Sequence, residues 1–567
     1  MFEHAKIRLR ALTRLAWRHR AVAGVLVLAG VLAVEGYVLR SPYEPAPRDI
    51  DASVKRAQTL ALADSVMLRQ SLPYRAEFLD PQRWFLPFVK PFVMRTRTGI
   101  QSIFPTVAAA IDIPFERLGG VAGIRLFAIG ATLILVLLAR AHAGDPDDWA
   151  LPVVLTLATP MWFYALGASG PPVAVAIATA GVLLACDCGR PFAAGVLIGL
   201  SSTVRDETLA LVPAVLLIEA WRHRRVAPLA AILIGVVVPV AAVAVLDSWL
   251  YGRPPAAHLL HAVQGNLFMD LPAGPMVVLR SMTWLERYNT VFVYWLDGRD
   301  GAHLALLAGS LILAAVVRVR LGSYWGALPA LALVVADAGG DLVAMCVAPR
   351  RLPGLLRLAP FLVFAALPAP VRPGAPPFRR SIAQIVAATF IVVAALTTNT
   401  TGGKPLGPRL LLPIWPFLVV AAWQAIRSHL DAWRAGSAHR LAGSVGVALV
   451  LASVTMNVGG LMPLYRGGEL DALAATRFVA AAREDTIVLG SPFAIDPAIA
   501  VYTRKAVMLA SSQEDATEIS NRLSAVRVHG FLYVRRDDRE DLDARFPPYG
   551  LAEEVHMGRW IVQRWAR

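Results

Sequence analysis

Cysteine is scarce in this 567-residue chain: there are three, Cys186, Cys188 and Cys346. Three thiols cannot make a disulfide framework, and Cys186-x-Cys188 lacks the C-x-x-C spacing of a redox or zinc site. All three read as small buried hydrophobes. Charge is scarce too, at 17% of residues against about 25% in an ordinary globular domain. Lysine is almost missing. Of 55 cationic residues only 5 are Lys, which makes Lys404, in a Gly-Gly-Lys turn, conspicuous. No His/Cys/Asp cluster has metal-ligand spacing, and no G-x-G-x-x-G, P-loop or G-x-S-x-G occurs. These absences leave nothing for a nucleotide site, a structural metal or a serine-hydrolase nucleophile to be built from.

What is present is apolar. Hydrophobic residues make up 56% of the chain, concentrated in runs near the roughly 20 residues that cross about 30 Å of hydrocarbon. The expected fold is a polytopic α-helical membrane protein of about 13 transmembrane helices. They are expected near 21–39, 121–140, 149–167, 171–187, 191–204, 206–221, 227–250, 301–318, 325–346, 353–370, 381–398, 408–427 and 441–462. The run 21–39 follows Lys6, Arg8, Arg10, Arg14, Arg18 and Arg20 but is too long for a signal-peptide core, so it reads as an uncleaved first helix. The net charge of +15 fits cationic flanks meeting anionic headgroups and calls for no nucleic acid. The positive-inside rule puts the N-terminus in the cytoplasm. Arg350-Arg351, in a short outer loop, break that rule.

One polar gap interrupts the pattern, a loop of some eighty residues over 40–120, on the outer side. It opens with the acidic pair Asp49-Ile-Asp51. The spacing of Val54, Ala57, Leu60, Ala61 and Leu68 predicts an amphipathic helix over 52–69 lying on the membrane surface, and a second helix is expected over 103–118. The last hundred residues are different material. Short apolar runs at Ile487–Gly490, Val507–Ala510, Phe531–Val534 and Trp560–Gln563 read as strands, with helices near 470–482 and 513–526. This predicts two parts: a membrane domain, 1–466, that includes the loop, and an extracytoplasmic α/β domain, 467–567.

The candidate site residues follow from position and residue type. Asp49 and Asp51 are ionisable groups at the water–membrane boundary, where a general base for an acceptor hydroxyl or amide would sit. They could equally cap the following helix. Lys404 and Arg409 lie in a glycine-rich approach to a helix, and an Arg fork suits phosphate. Arg350 and Arg351 are weaker candidates of the same sort. Asp337 and Asp341 fall inside an expected membrane helix, where a charge costs about 3 kcal/mol on the lenient scale. They must therefore face the bundle interior or a wet cavity. Arg205 and Glu207 read as an ion pair at a helix turn.

Several stretches in order resemble the GT-C superfamily of membrane glycosyltransferases, which includes protein mannosyltransferases and the aminoarabinose transferase that modifies lipid A. They are Asp49-Ile-Asp51 with Lys55-Arg-Ala-Gln-Thr-Leu60, Gln101-Ser-Ile-Phe-Pro105, Pro114-Phe-Glu-Arg-Leu-Gly-Gly120, Gly199-Leu-Ser-Ser-Thr-Val-Arg205-Asp-Glu207 and Gly403-Lys-Pro-Leu-Gly-Pro-Arg409-Leu-Leu-Leu-Pro413. The resemblance implies inverting transfer of a sugar from a polyprenyl-phosphate donor to a lipid, glycan or protein acceptor, at the outer face of the cytoplasmic membrane. It implies an Asp base, best matched by Asp49 with Asp51 in reserve. Basic residues (Lys404 and Arg409 here) or a divalent metal would meet the leaving phosphate. Two departures bear on the metal: Ile50 stands where relatives often carry a second acid, and the turn at 162–170 lacks a charged residue. A lipid or sugar transporter or flippase, and a non-catalytic GT-C-like partner, are the alternative readings. A transporter should show two related halves, and none is visible.

Overall fold

A computed structural model describes residues 50–64, 71–88, 93–96, 99–144, 148–166, 170–252, 301–347, 354–370, 377–397, 409–537 and 541–567. The expected helix 21–39 and the candidate residues Asp49, Arg350, Arg351 and Lys404 lie outside them.

The described part of the polar loop opens with helix α1 (Ile50–Ala63). Val54, Ala57 and Ala61 line one face of it and are buried. A hairpin follows, β1 (Val93–Thr96) paired antiparallel with β2 (Gly99–Ser102). Helix α2 (Thr106–Ala143) carries the second expected outer helix straight into the second membrane span. The two halves meet at Gly119 and Gly120, whose backbones leave the helical region, Gly120 at φ 58°. A side chain there would resist that conformation. Residues 106–118 are thus an arm set at an angle on the span.

The bundle continues with α3 (Ala150–Leu157), α4 (Met161–Leu166), α5 (Pro171–Cys186), α6 (Pro191–Ser202), α7 (Leu211–His223) and α8 (Val226–Tyr251). The helix expected over 149–167 is broken in two by Thr159-Pro160, because proline removes a helical N–H and disfavours α conformation in the residue before it. Helices α6 and α8 meet backbone to backbone. A β-carbon on Gly195 would lie 2.2 Å from the Ile232 carbonyl oxygen, and one on Gly199 2.5 Å from that of Val236. This is the small-x-x-x-small seam that lets membrane helices approach closely. Elsewhere on α8, Val237, Val238, Val245 and Leu246 are exposed, as lipid-facing side chains should be. Cys188 is exposed, unlike buried Cys186, so the expectation that every cysteine is buried fails there.

Next come α9 (Gly301–Leu321), α10 (Leu328–Val347), the single turn α11 (Leu355–Leu358), α12 (Pro377–Thr397), α13 (Trp415–Asp431) and α14 (Ser437–Ala481). The helix expected over 353–370 does not form. After α11, Ala359 turns to φ −140° before Pro360, and residues Pro360–Ala365 make a 3-10 helix. That segment is apolar because it is core: Phe361, Leu362, Val363, Phe364 and Leu367 are all buried. Among the described residues, six helices are long and apolar enough to cross a membrane, with α5 and α6 as shorter apolar helices. The chain is a multi-pass membrane protein, but the expected number of spans is not reproduced.

The C-terminal unit is a five-stranded sheet made of β3 (Thr486–Leu489), β4 (Ala506–Leu509), β5 (Gly530–Arg536), β6 (Gly550–Met557) and β7 (Trp560–Ala566), with α15 (Gln513–Ala525) between β4 and β5. The order is β4-β3-β5-β7-β6. β3 runs parallel to β4 and β5, and β7 antiparallel to β5 and β6. Ser512 and Asp515 form a reciprocal capping box at the start of α15, which satisfies two orphan N–H groups.

This sheet does not stand alone. Val54, Ala57 and Ala61 of α1 share one core with Ala475 and Val479 of α14 and with Ile487, Leu489 and Ile495. Tyr74, Leu79 and Phe85 of the polar loop share another with Val488, Met508, Ile519 and Phe531. The apolar face of α1 is therefore covered by protein, in contrast to the membrane-surface helix its amphipathicity suggested. Hydrophobic periodicity reports that a face is buried, not what buries it.

Candidate functional site

Asp51 lies in the first turn of α1, which is held from three sides. From the C-terminal unit, the Asp496 carboxylate accepts a 2.7 Å hydrogen bond from the Ser53 hydroxyl, both groups buried. From the hairpin side, Gln58 Nε2 donates to the Phe104 carbonyl at 3.4 Å, and Lys55 Nζ stands 4.5 Å from the centre of the Phe104 ring. From the arm of α2, Glu116 pairs with Arg56 at 3.4 Å, both side chains largely shielded from solvent. Asp112 lies one turn before Glu116, within electrostatic reach of it and of Lys55. Two cations of α1 thus face two acids of the arm across one seam.

The arm leads to the other predicted residues. A β-carbon built on Gly170, at the start of α5, would lie 3.4 Å from a Val204 methyl and 4.0 Å from Ala108 Cβ. The arm and the 203–207 turn therefore converge there. In that turn Arg205 Nε donates to Glu207 Oε1 at 2.6 Å, and an Arg205 terminal nitrogen bonds the same oxygen, as the expected ion pair requires. The following 3-10 helix, Asp206–Ala210, packs against the 3-10 helix Arg409–Ile414. Arg409 therefore begins a segment in contact with the Arg205–Glu207 turn. The structure brings together the arm, this turn and the segment headed by Arg409, with α1 against the arm.

Asp337 and Asp341 sit elsewhere. Asp337 pairs with His303 Nε2 at 2.8 Å. Asp341 accepts from Arg357 at 2.6 and 3.2 Å. Both border a recess lined by Leu307, Val334, Ala338, Leu356 and Pro360. Pairing offsets the cost of burying these charges. Each of these acids thus has a partner on a neighbouring helix.

Sequence reasoning missed Lys55, Arg56, Asp112 and Glu116 as a group. The available signal was a pair of acids four residues apart in the apolar run Ile111-Asp-Ile-Pro-Phe-Glu116, which places both on one helix face. It also missed Asp496, a lone acid in the apolar stretch 493–501. Among the described residues no group of three or more His, Cys, Asp or Glu could hold a metal ion.

No protein-family model matches the chain, and no curated protein matches it. Among solved structures it is similar to ArnT from Cupriavidus metallidurans bound to undecaprenyl phosphate, at 13% identity and a TM-score of 0.48, over 95% of this chain and 97% of that one. It is also similar to the Archaeoglobus fulgidus oligosaccharyltransferase in the apo form, at 10% identity and a TM-score of 0.35, over 89% of this chain and 69% of that one. Neither likeness assigns a role to any residue here.

Proposed function

We propose that this protein is an inverting membrane glycosyltransferase. It takes a sugar from a polyprenyl-phosphate donor and passes it to an acceptor at the outer face of the cytoplasmic membrane. The N-terminus is cytoplasmic and the C-terminal unit lies outside. The observation that carries the reading is the setting of α1. The helix that bears Asp51 is clamped between the arm that leads into an apolar span and the C-terminal sheet unit. A lipid-tethered donor would meet a water-borne acceptor at such a junction. The resemblance of the first-loop acids and of the 403–413 stretch supplies the donor class.

In this mechanism the carboxylate of Asp49 or Asp51 takes the proton of the acceptor O–H or N–H. The freed lone pair attacks the anomeric carbon, and the bond from that carbon to the phosphate oxygen breaks. Its electrons leave with the polyprenyl phosphate, and one displacement inverts the configuration. Arg409 and Lys404 hold the leaving phosphate, with Arg350 and Arg351 as further cations of the same kind, and exposed apolar helix faces accommodate the prenyl tail. The Arg205–Glu207 pair braces the turn against the Arg409 segment.

The test is transfer from a panel of radiolabelled polyprenyl-phosphate sugars by the purified protein, wild type against Asp49→Asn and Asp51→Asn. Removing the base should cost about 10²- to 10⁴-fold in turnover while donor still binds. If neither substitution changes an observed activity, the assignment of the base fails, and Asp337 and Asp341 become the residues to test.

A further inference from the structure

We infer that Asp496 is a positioning residue, through which the outer sheet unit fixes the acidic end of α1. The inference rests on the reading of Asp49 and Asp51 given above.

Asp496 is carried by the 3-10 helix Pro492–Val501, which follows β3. Ala494, Ile495, Ala498 and Ile499 of that helix are fully buried, and it packs against both α1 and α14. It leaves the carboxyl end of the central parallel strand. From β3 the chain turns towards β4, whereas from the neighbouring β5 it turns the opposite way, towards the antiparallel edge. In open α/β sheets this divergence opens a crevice for ligand. Here the crevice is bridged by Ser491 Oγ donating to Asp541 at 2.9 Å, and the same carboxylate accepts from the Arg536 N–H at 2.8 Å. What this edge grips is α1.

The grip is chemically specific. Ser53 and Asp496 are 0% and 2% exposed and lie 443 residues apart in sequence. Withdrawing a carboxylate from water is costly, and a pair of apolar side chains would have joined the same surfaces without that cost. A charge-assisted hydrogen bond fixes distance and direction where apolar contact fixes neither. Ser53 itself lies in the first turn of α1, the end at which the helix dipole favours negative charge. Ser53 is two residues beyond Asp51. Anchoring it holds the start of the helix, the turn in which Asp51 lies, to the frame of the sheet.

The full-length protein in detergent tests this with two readouts. The first is hydrogen–deuterium exchange of the α1 amides in wild type, Asp496→Ala, Ser53→Ala and the double variant. Each single variant should exchange about tenfold faster in the first two turns of α1, the factor set by one hydrogen bond to a charged group, and the double no faster than either. Asp496→Asn, which keeps an acceptor oxygen, should return exchange to within about twofold of wild type. The second readout is steady-state transfer. Turnover should fall in Asp496→Ala and Ser53→Ala with donor KM unchanged, and recover in Asp496→Asn. Unchanged α1 exchange, or a rise in donor KM with turnover intact, overturns the inference. Ser53→Ala decides if Asp496→Ala does not fold. A wild type that transfers nothing from any donor overturns the catalytic reading itself, which the exchange data alone would leave standing as a structural clamp.

Discussion

Replacing Asp80 should loosen the segment 71–88 by an amount that can be worked out bond by bond. Asp80 is fully buried. Its Oδ2 accepts from the Tyr74 hydroxyl and the Phe85 amide, both at 2.8 Å. Its Oδ1 accepts from Arg522 at 3.2 Å. Asp80→Ala leaves the hydroxyl and the amide buried without their acceptor, at about 1–3 kcal/mol each. Arg522 loses less, because it keeps the Leu79 carbonyl and Glu518. The expected local cost is about 2–6 kcal/mol. Asp80→Asn can present its oxygen to Tyr74 and Phe85 and lose only the Arg522 bond, at about 1.5–3 kcal/mol. Tyr74→Phe removes one bond and leaves the carboxylate satisfied, at about 1 kcal/mol. With 14 tryptophans in the chain, bulk fluorescence cannot localise the effect, so the assay is hydrogen exchange of peptides covering 71–88 in the intact protein. An Asp80→Ala cost below about 1 kcal/mol, or a Tyr74→Phe cost exceeding it, would refute the reasoning.

Two further perturbations have definite outcomes. Gly195→Leu pushes a side chain into the Ile232 carbonyl and should separate α6 from α8. The measurement is thermal unfolding in detergent, where Gly195→Ala should fall between Leu and wild type. Burial, and for Tyr74 also the hydrogen bond to Asp80, holds the phenols of Tyr74 and Tyr502 well above their ordinary range. A raised folded pKa means the unfolded chain ionises first. The stability of the sheet unit should therefore be complete below about pH 10 and decline above it. Denaturation at stepped alkaline pH should show this, and Tyr74→Phe with Tyr502→Phe should flatten the decline.

Much of this architecture was legible because its signals are local. Residues 226–251 are apolar at membrane length, 171–186 form a shorter apolar helix where a span was expected, and β3, β4, β5 and β7 lie where short apolar runs predicted strands. Strand β6 escaped because it is an edge strand, exposed along nearly its whole length, with no buried face to impose alternation. The segment 353–370 misled for the opposite reason, since apolar core and apolar span have the same composition. At the candidate site, Arg205 and Glu207 were readable as neighbours two residues apart. The bond between Ser53 and Asp496 was not, because nothing in either local sequence encodes a partner 443 residues away.

Helix α14 sets a mechanical relation between the two halves of the protein. It runs 45 residues without a break, from the apolar stretch 437–459 to the sheet. At its far end Lys505 Nζ donates to the carbonyls of Val479, Ala482 and Glu484, at 3.3, 2.6 and 2.9 Å. At about 1.5 Å per residue the rod is about 68 Å long. It therefore works as a ruler with an angular memory. Each residue along it sets about 1.5 Å of height and about 100° of azimuth for the sheet, so the orientation of the sheet unit relative to the helical bundle is written in the length of a single helix.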